Sequence, residues 1–255
     1  MKRKNSKNKV KKAMMILAFG VLMIVAGLGV MFYPVLTNYL YEKEVKQDKQ
    51  KFEKYFGISD DDRNNKKSGN DTETMSDSLS DELYRELVKR NEILFKEHQV
   101  DLKDPFSYEQ PTIELSDYGV PDNTIGYITI PKMDVVLPIL LGANNSNMRL
   151  GAVHLTQTSY PVGGINTNCV IAAHRGMSKK AMFRNIDLLR PGDVVYIENF
   201  KETLIYEVTD IQIISPNEID KLLIQEGRDM VTLITCHPYR YNYQRYVVFC
   251  ERVDE

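Results

Sequence analysis

Cys236 closes the apolar run Met230-Val-Thr-Leu-Ile-Thr-Cys236, Arg245 follows nine positions later, and His174 lies sixty-two positions earlier in Ala172-Ala-His-Arg-Gly176. A thiol at the C-terminal lip of a buried strand, followed by a polar loop and a second strand that opens with Arg, sets a nucleophile beside a fixed positive charge. The chemistry this implies is acyl transfer through a thioester. With ordinary pKa values of about 8.5 and 6.5, a thiol and an imidazole form a thiolate–imidazolium pair in only about 1% of molecules. Arg245 keeps its proton, so it would favour the thiolate and could donate to the oxyanion of a tetrahedral intermediate. His174 would protonate the leaving amine and then activate the incoming one. Taken singly, a strand-end Cys is usually core, a strand-opening Arg a solvated edge charge, and a lone His a structural residue. Their combination singles these three out as candidate catalytic residues.

Such residues need a scaffold, and the chain of 255 residues is long enough for one sizeable domain with appendages. Seven Lys or Arg and no acid fall in residues 1–12, a basic tail expected to stay in the cytoplasm. Residues 13–36 carry no charge. As a helix they would reach about 36 Å, enough to cross a hydrocarbon core of about 30 Å. A cleaved signal peptide is the rival reading; against it, the apolar stretch exceeds an ordinary h-region and no small-x-small site follows Leu36. Subtracting the seven basic charges from the net −2 leaves an acidic remainder near −9, expected outside the cell and poorly suited to nucleic acid. Residues 37–80 read as a solvated helical stalk followed by a flexible tether, since 59–80 holds almost no large apolar residue. Ser78-Leu-Ser-Asp81 has the form of a helix start, and the spacing of Leu83, Tyr84, Leu87 and Val88 predicts a helix over 81–99 that packs on the domain.

From Tyr118 the pattern becomes short β-like runs separated by Pro, Gly, Asn and Asp. The eight candidate strands are 126–130, 135–137, 169–173, 194–197, 204–208, 211–214, 231–235 and 245–250, which predicts an all-β, closed eight-stranded barrel with short helices, one of them over 217–223. Three cysteines leave at least one thiol unpaired. Cys169 and Cys250 lie in apolar runs and read as small buried hydrophobes, with a disulfide between them as the alternative. His and Cys are too scattered for a zinc site, no calcium loop is present, and no cofactor or metal is expected.

The residues Thr232-Leu-Ile-Thr-Cys236, Arg245 and His174 resemble the signature of the sortases, cysteine transpeptidases that attach proteins to the Gram-positive cell wall or to one another. The resemblance covers residues 118–253 and implies the family's eight-stranded barrel, with Cys, His and Arg at one end. It looks most like class C, the pilin-polymerising group, on Ile130-Pro131, Leu137-Pro138, Ser159-Tyr-Pro-Val-Gly-Gly164, Ala173-His-Arg-Gly176 and Cys236-His-Pro-Tyr239. Upstream, within residues 81–117, Asp104-Pro105-Phe106 resembles the class C lid motif, which implies Asp104 approaching Arg245 and Phe106 covering Cys236; the bland reading is an Asp-Pro turn. The segment His-Pro-Tyr-Arg-Tyr-Asn-Tyr-Gln between Cys236 and Arg245 departs from that class, and no membrane helix is expected after Val253. His237 should point away from Cys236, and His98 and His154 read as structural. The expectation is therefore a single-pass membrane sortase with its catalytic domain, residues 118–255, outside the cell. It would cleave an LPXTG-like sorting signal and pass the acyl group to an amine, a pilin lysine or a cell-wall precursor. A cysteine hydrolase using water, or an anchored scaffold with an inactive barrel, are the competing classes.

Overall fold

In the computed structural model, residues 2–58, 75–99, 102, 104, 113–120, 122–176 and 180–253 are described. The element order is helix α1 (Lys2–Phe56), helix α2 (Met75–Lys96), strands β1 (Thr124–Ile130) and β2 (Val135–Leu141), helix α3 (Asn145–Leu150), and strands β3 (Ala152–His154), β4 (Thr167–Ala172), β5 (Val194–Asn199), β6 (Thr203–Ile214), β7 (Asp229–His237) and β8 (Gln244–Arg252). The strands close a barrel in the order β1-β2-β3-β4-β7-β8-β6-β5. Pairing is antiparallel except for β2 with β3 and β4 with β7.

The eight strands are not the eight expected ones. The runs 204–208 and 211–214 are one strand, β6, whose register slips between Val208 and Asp210. The extra residue of a bulge breaks the alternation, which is why the sequence reads there as two strands. In compensation, β3 has only three residues, too few to show a period. The expected helix over 217–223 is a 3-10 turn at Ile219–Leu222.

Alternation divides the barrel wall into two apolar faces. Ile171, Ala173, Val231, Leu233 and Val248 join the interior core, whereas Val170, Ala172, Met230, Ile234, Val247 and Phe249 belong to a second cluster on the outer face, with Leu102, Met148 and Leu222. A strand buried on both sides must be apolar at nearly every position, and β7 is. Its two threonines spend their hydroxyls internally: Thr232 donates to Asn168 Oδ1 at 2.8 Å, and Thr235 to the Ala173 carbonyl at 2.7 Å.

Helix α2 closes the end of the barrel remote from Cys236. Leu83 and Leu87 are fully buried, each stabilising by about 1.5–3 kcal/mol, and Asn91 clamps Tyr160 by giving a hydrogen bond to its carbonyl and taking one from its N–H. The helix starts at Met75, so residues 75–80, read as tether, are helical; it ends at Lys96 rather than Gln99. Residues 59–74 lie outside the described residues. The stalk also differs from expectation. It is one helix with the apolar segment, and instead of standing in solvent it lies along the barrel: Val45 is buried, Phe52 meets Tyr127 edge-on at 5.3 Å, and Phe56 meets Phe200 at 5.8 Å. Spacing of Leu40, Val45, Phe52 and Tyr55 carries too weak a stripe to announce this. His154 is structural, stacked on Tyr160 at 4.8 Å, and burial pushes its pKa down to about 4.

Thr235→Val keeps the side-chain volume but removes the donor from the buried Ala173 carbonyl beside His174. The expected cost is about 1–3 kcal/mol, read as a lower urea midpoint, with slower alkylation of Cys236 in the folded protein.

Candidate active site

Strand register assembles the site. Along the parallel β4–β7 pair, residues 167–172 face 229–234 at a constant offset of 62. The Ala173 N–H continues the pattern onto the Ile234 carbonyl at 3.2 Å, so the same offset carries His174 level with Cys236. On the other side of β7, Cys236 is directly opposite Arg245. Directly opposed residues share a face, and alternation from Ile234 and Val247 puts both on the outer face. Cys236 and Arg245 thus share one edge of the sheet, and His174, two residues past the end of β4, continues the same offset toward it, about two strand spacings of 4.8 Å from Arg245.

Arg245 is nearly buried at 5% exposure. Its Nε and Nη2 each donate to Asp104, to Oδ1 and Oδ2, both at 2.8 Å, while Nη1 donates to the carbonyls of Asn242 and Gln244 at 2.7 and 3.0 Å. This is the paired fork that guanidinium and carboxylate geometry favours. The chain reaches it by three anchors after α2. Gln99 gives a hydrogen bond to the Gln157 carbonyl and takes one from the Ile224 N–H; Leu102 is buried in the outer cluster; Asp104 grips Arg245. Of the residues expected to form a lid, Asp104 thus reaches Arg245, and Phe106 lies outside the described residues.

The electrostatics describe a resting thiol. Burial pushes the Cys236 pKa up; Arg245 pulls it down, and the Asp104 carboxylate pushes it up again. Burial and the Arg149 charge lower the His174 pKa. A raised thiol beside a lowered imidazole leaves both neutral around pH 7, and the carboxylate that holds the guanidinium also weakens its pull on the sulfur. Nothing in the sequence marked Arg149 as near His174, since the two are 25 positions apart, with β3, a long loop and β4 between them.

His237 falls on the opposite face from Cys236. Its Nδ1 is 2.7 Å from Nη1 of Arg175, its ring is 5.8 Å from that of Tyr246, and Arg175 also meets Asp187 at 3.2 Å and lies over the Tyr246 ring at 5.1 Å. Arg175, nearly buried, ties the loop after His174 to the β7 end. Cys169 and Cys250 are free and buried. Both face Val231, one from each side, which separates their Cα atoms by roughly 10 Å, beyond disulfide reach.

A sortase-domain family model matches residues 128–253. The solved sortase C-1 of Actinomyces oris is 36% identical, covers 68% of this chain and 99% of its own, and superposes with a TM-score of 0.59. The chain belongs to the sortase family. Sortases are cysteine transpeptidases, so the enzyme class follows. Streptococcus agalactiae sortase C1, solved in complex with MTSET, is 32% identical over 68% of this chain and 89% of its own, with a TM-score of 0.60. Class C sortases are thus among the structural neighbours, and sortase A is represented as well. That of Bacillus anthracis is 28% identical over 156 residues, 60% of this chain and 72% of its own. The barrel, with its strand ends carrying Cys, His and Arg, is the sortase barrel.

Since thiolate is the attacking species, a raised pKa means less of it at any given pH. Alkylation of Cys236 in the full-length sortase should accordingly rise with pH through a midpoint above that of an ordinary thiol. Asp104→Asn removes one upward push, so its midpoint should fall and its rate at pH 7 should increase, tenfold for each pH unit the midpoint moves. Iodoacetamide kinetics from pH 6 to 10 test this; coincident profiles would remove Asp104 from control of the thiol.

Proposed function

We propose that this sortase is anchored by residues 13–36, with residues 1–12 in the cytoplasm and the barrel outside, and that Cys236, His174 and Arg245 are its catalytic residues. The opposition of Cys236 and Arg245 in adjacent strands is the observation that carries the assignment, and the shared offset of His174 supports it. The helix that includes 13–36 is long and apolar enough to cross a membrane.

In the proposed reaction the Cys236 thiolate adds to the Thr carbonyl carbon of an LPXTG-like signal. The resulting oxyanion takes hydrogen bonds from Arg245. The C–N bond to Gly breaks as imidazolium His174 gives its proton to the departing amine, leaving a thioester on Cys236. An incoming amine passes a proton to His174, adds to the thioester, and expels the thiolate as the amide forms. The first step takes a proton from the imidazolium and the second returns one, so the dyad ends as the thiolate–imidazolium pair from which attack began. For Arg245 to serve the oxyanion, Asp104 must release it. Asp104 therefore makes the resting state a closed one.

The acceptor we favour is a pilin lysine, on the likeness to solved class C enzymes, one of which is described as the pilus-related sortase C of Group B Streptococcus. A cell-wall precursor amine is the second reading, favoured by the likeness to sortase A of Corynebacterium diphtheriae, 29% identical with a TM-score of 0.63.

An LPXTG peptide incubated with the protein should give a mass adduct on Cys236, absent in Cys236→Ala. Arg245→Ala should lower turnover with an added amine by about 100- to 1,000-fold, the usual cost of losing an oxyanion donor. Asp104→Asn should increase adduct formation. Failure of the wild type and of Asp104→Asn alike to form any adduct would contradict the reading.

A further inference from the structure

The docked stalk fixes which end of the barrel faces the bilayer. Helix α1 is continuous from the apolar segment into the part that lies along the barrel. Its first contacts come at once: the Ala181 N–H donates to Asn38 Oδ1 at 2.8 Å, and the Tyr41 hydroxyl donates to the Leu150 carbonyl at 2.7 Å, with Lys180 Nζ over the Tyr41 ring at 4.1 Å. Its last contacts come near its C-terminus, where Tyr55 donates to the Gly119 carbonyl and Phe56 packs on Phe200.

Topology says which end is which. Leu150 lies one residue short of β3, whose Val153 faces Ala172 at the exit of β4, and the loop holding Ala181 is tied to His174 by the Phe183 N–H on its carbonyl at 3.1 Å. Phe200, in contrast, follows Asn199, which faces Gly126 near the start of β1. The helix thus leaves the apolar segment at the Cys236 end and runs toward the opposite one. Asn38 lies two residues, about 3 Å, past Leu36, while the headgroup layer is about 5–8 Å deep.

The surface at that end matches the placement. Outside α1, the large apolar side chains exposed among the described residues are Leu150, Leu188, Ile213, Tyr239, Tyr241 and Tyr243, all at the Cys236 end, with Ile93 and Ile165 elsewhere. The β7–β8 loop supplies three of the six, Tyr241 and Tyr243 being 61% and 60% exposed, together with exposed Arg240. Exposed tyrosines beside arginine suit a bilayer interface, where the ring sits among acyl carbonyls and the hydroxyl and guanidinium meet water and phosphate.

We propose that the β7–β8 loop, through Tyr239, Tyr241 and Tyr243, rests in the headgroup layer of the membrane that α1 crosses, so that the mouth of the site opens onto the bilayer surface. This rests on the anchor reading of 13–36. The occupant of the tyrosine patch is lipid, and a substrate peptide reaching Cys236 would enter parallel to the membrane plane.

The chain contains no Trp, so single substitutions provide clean reporters. Full-length Leu28→Trp, Tyr241→Trp and Ile165→Trp would each be reconstituted in vesicles of phosphatidylcholine and phosphatidylglycerol. Quenching would be compared using 12-doxyl lipid and headgroup-labelled TEMPO lipid. The expected result is quenching of Trp at 28 by 12-doxyl lipid, loss of most emission at 241 with a blue shift by TEMPO lipid, and unchanged emission at 165. Trp at 28 quenched while 241 matches 165 would overturn the membrane-facing mouth and leave the anchor standing. An unquenched Trp at 28 would overturn the anchor, and the proposal with it.

Discussion

The parallel pairing of β4 with β7 is the constraint on which the site depends. Parallel neighbours cannot be joined by a tight turn, so the chain must leave β4 at Ala172 and return at Asp229 after building β5 and β6. That long excursion lets His174 and Cys236 arrive at the same edge from distant sequence positions. It also leaves both strands buried on two faces, and the dense packing fixes the sulfur more firmly than a loop could. The antiparallel turn from β7 into β8 then needs only a few residues to set Arg245 across from Cys236. The proposed catalytic geometry is largely strand register.

The second organising element is competition for one guanidinium. Arg245 is too buried to be left without acceptors, and in the resting arrangement the acceptors are Asp104 and two backbone carbonyls. The carboxylate stabilises the buried charge, weakens its pull on the thiol and, in the proposed mechanism, withholds it from an oxyanion. Structural satisfaction and the catalytic role proposed for Arg245 are opposed at this residue. The strap that delivers Asp104 is held by Gln99 and Leu102, neither of which touches the reacting atoms.

Much of this was legible in the residues and some was not. The run ending at Cys236 announced a doubly buried strand because every position was apolar or a threonine able to bond internally. Cys236 and Arg245 could be placed as neighbours because a short hairpin leaves little choice. The offset joining His174 to Cys236 needed the topology, since a parallel crossover has no local signature. The fused β6 was hidden by its bulge and β3 by its brevity. The stalk misread as solvated shows another limit: its contacts with the barrel are made by scattered aromatics and by Asn38, Tyr41 and Tyr55 reaching backbone groups, and hydrogen bonds to a distant backbone leave no trace in a periodicity. Asp104 was found through its motif, whereas Gln99 and Arg149 gave no signal at all.

The two inner cysteines have a consequence for durability. Burial raises both thiols far above the ordinary range, so neither presents a thiolate to peroxide or to a passing disulfide. With the barrel outside the cell, as proposed, oxidative damage among the three cysteines is thereby concentrated on Cys236. The same half-burial and the same carboxylate that keep that sulfur protonated at rest also slow its conversion to sulfenic acid. Under the proposed placement, the Asp104–Arg245 pair consequently acts as storage as well as restraint, holding the nucleophile in its less perishable form.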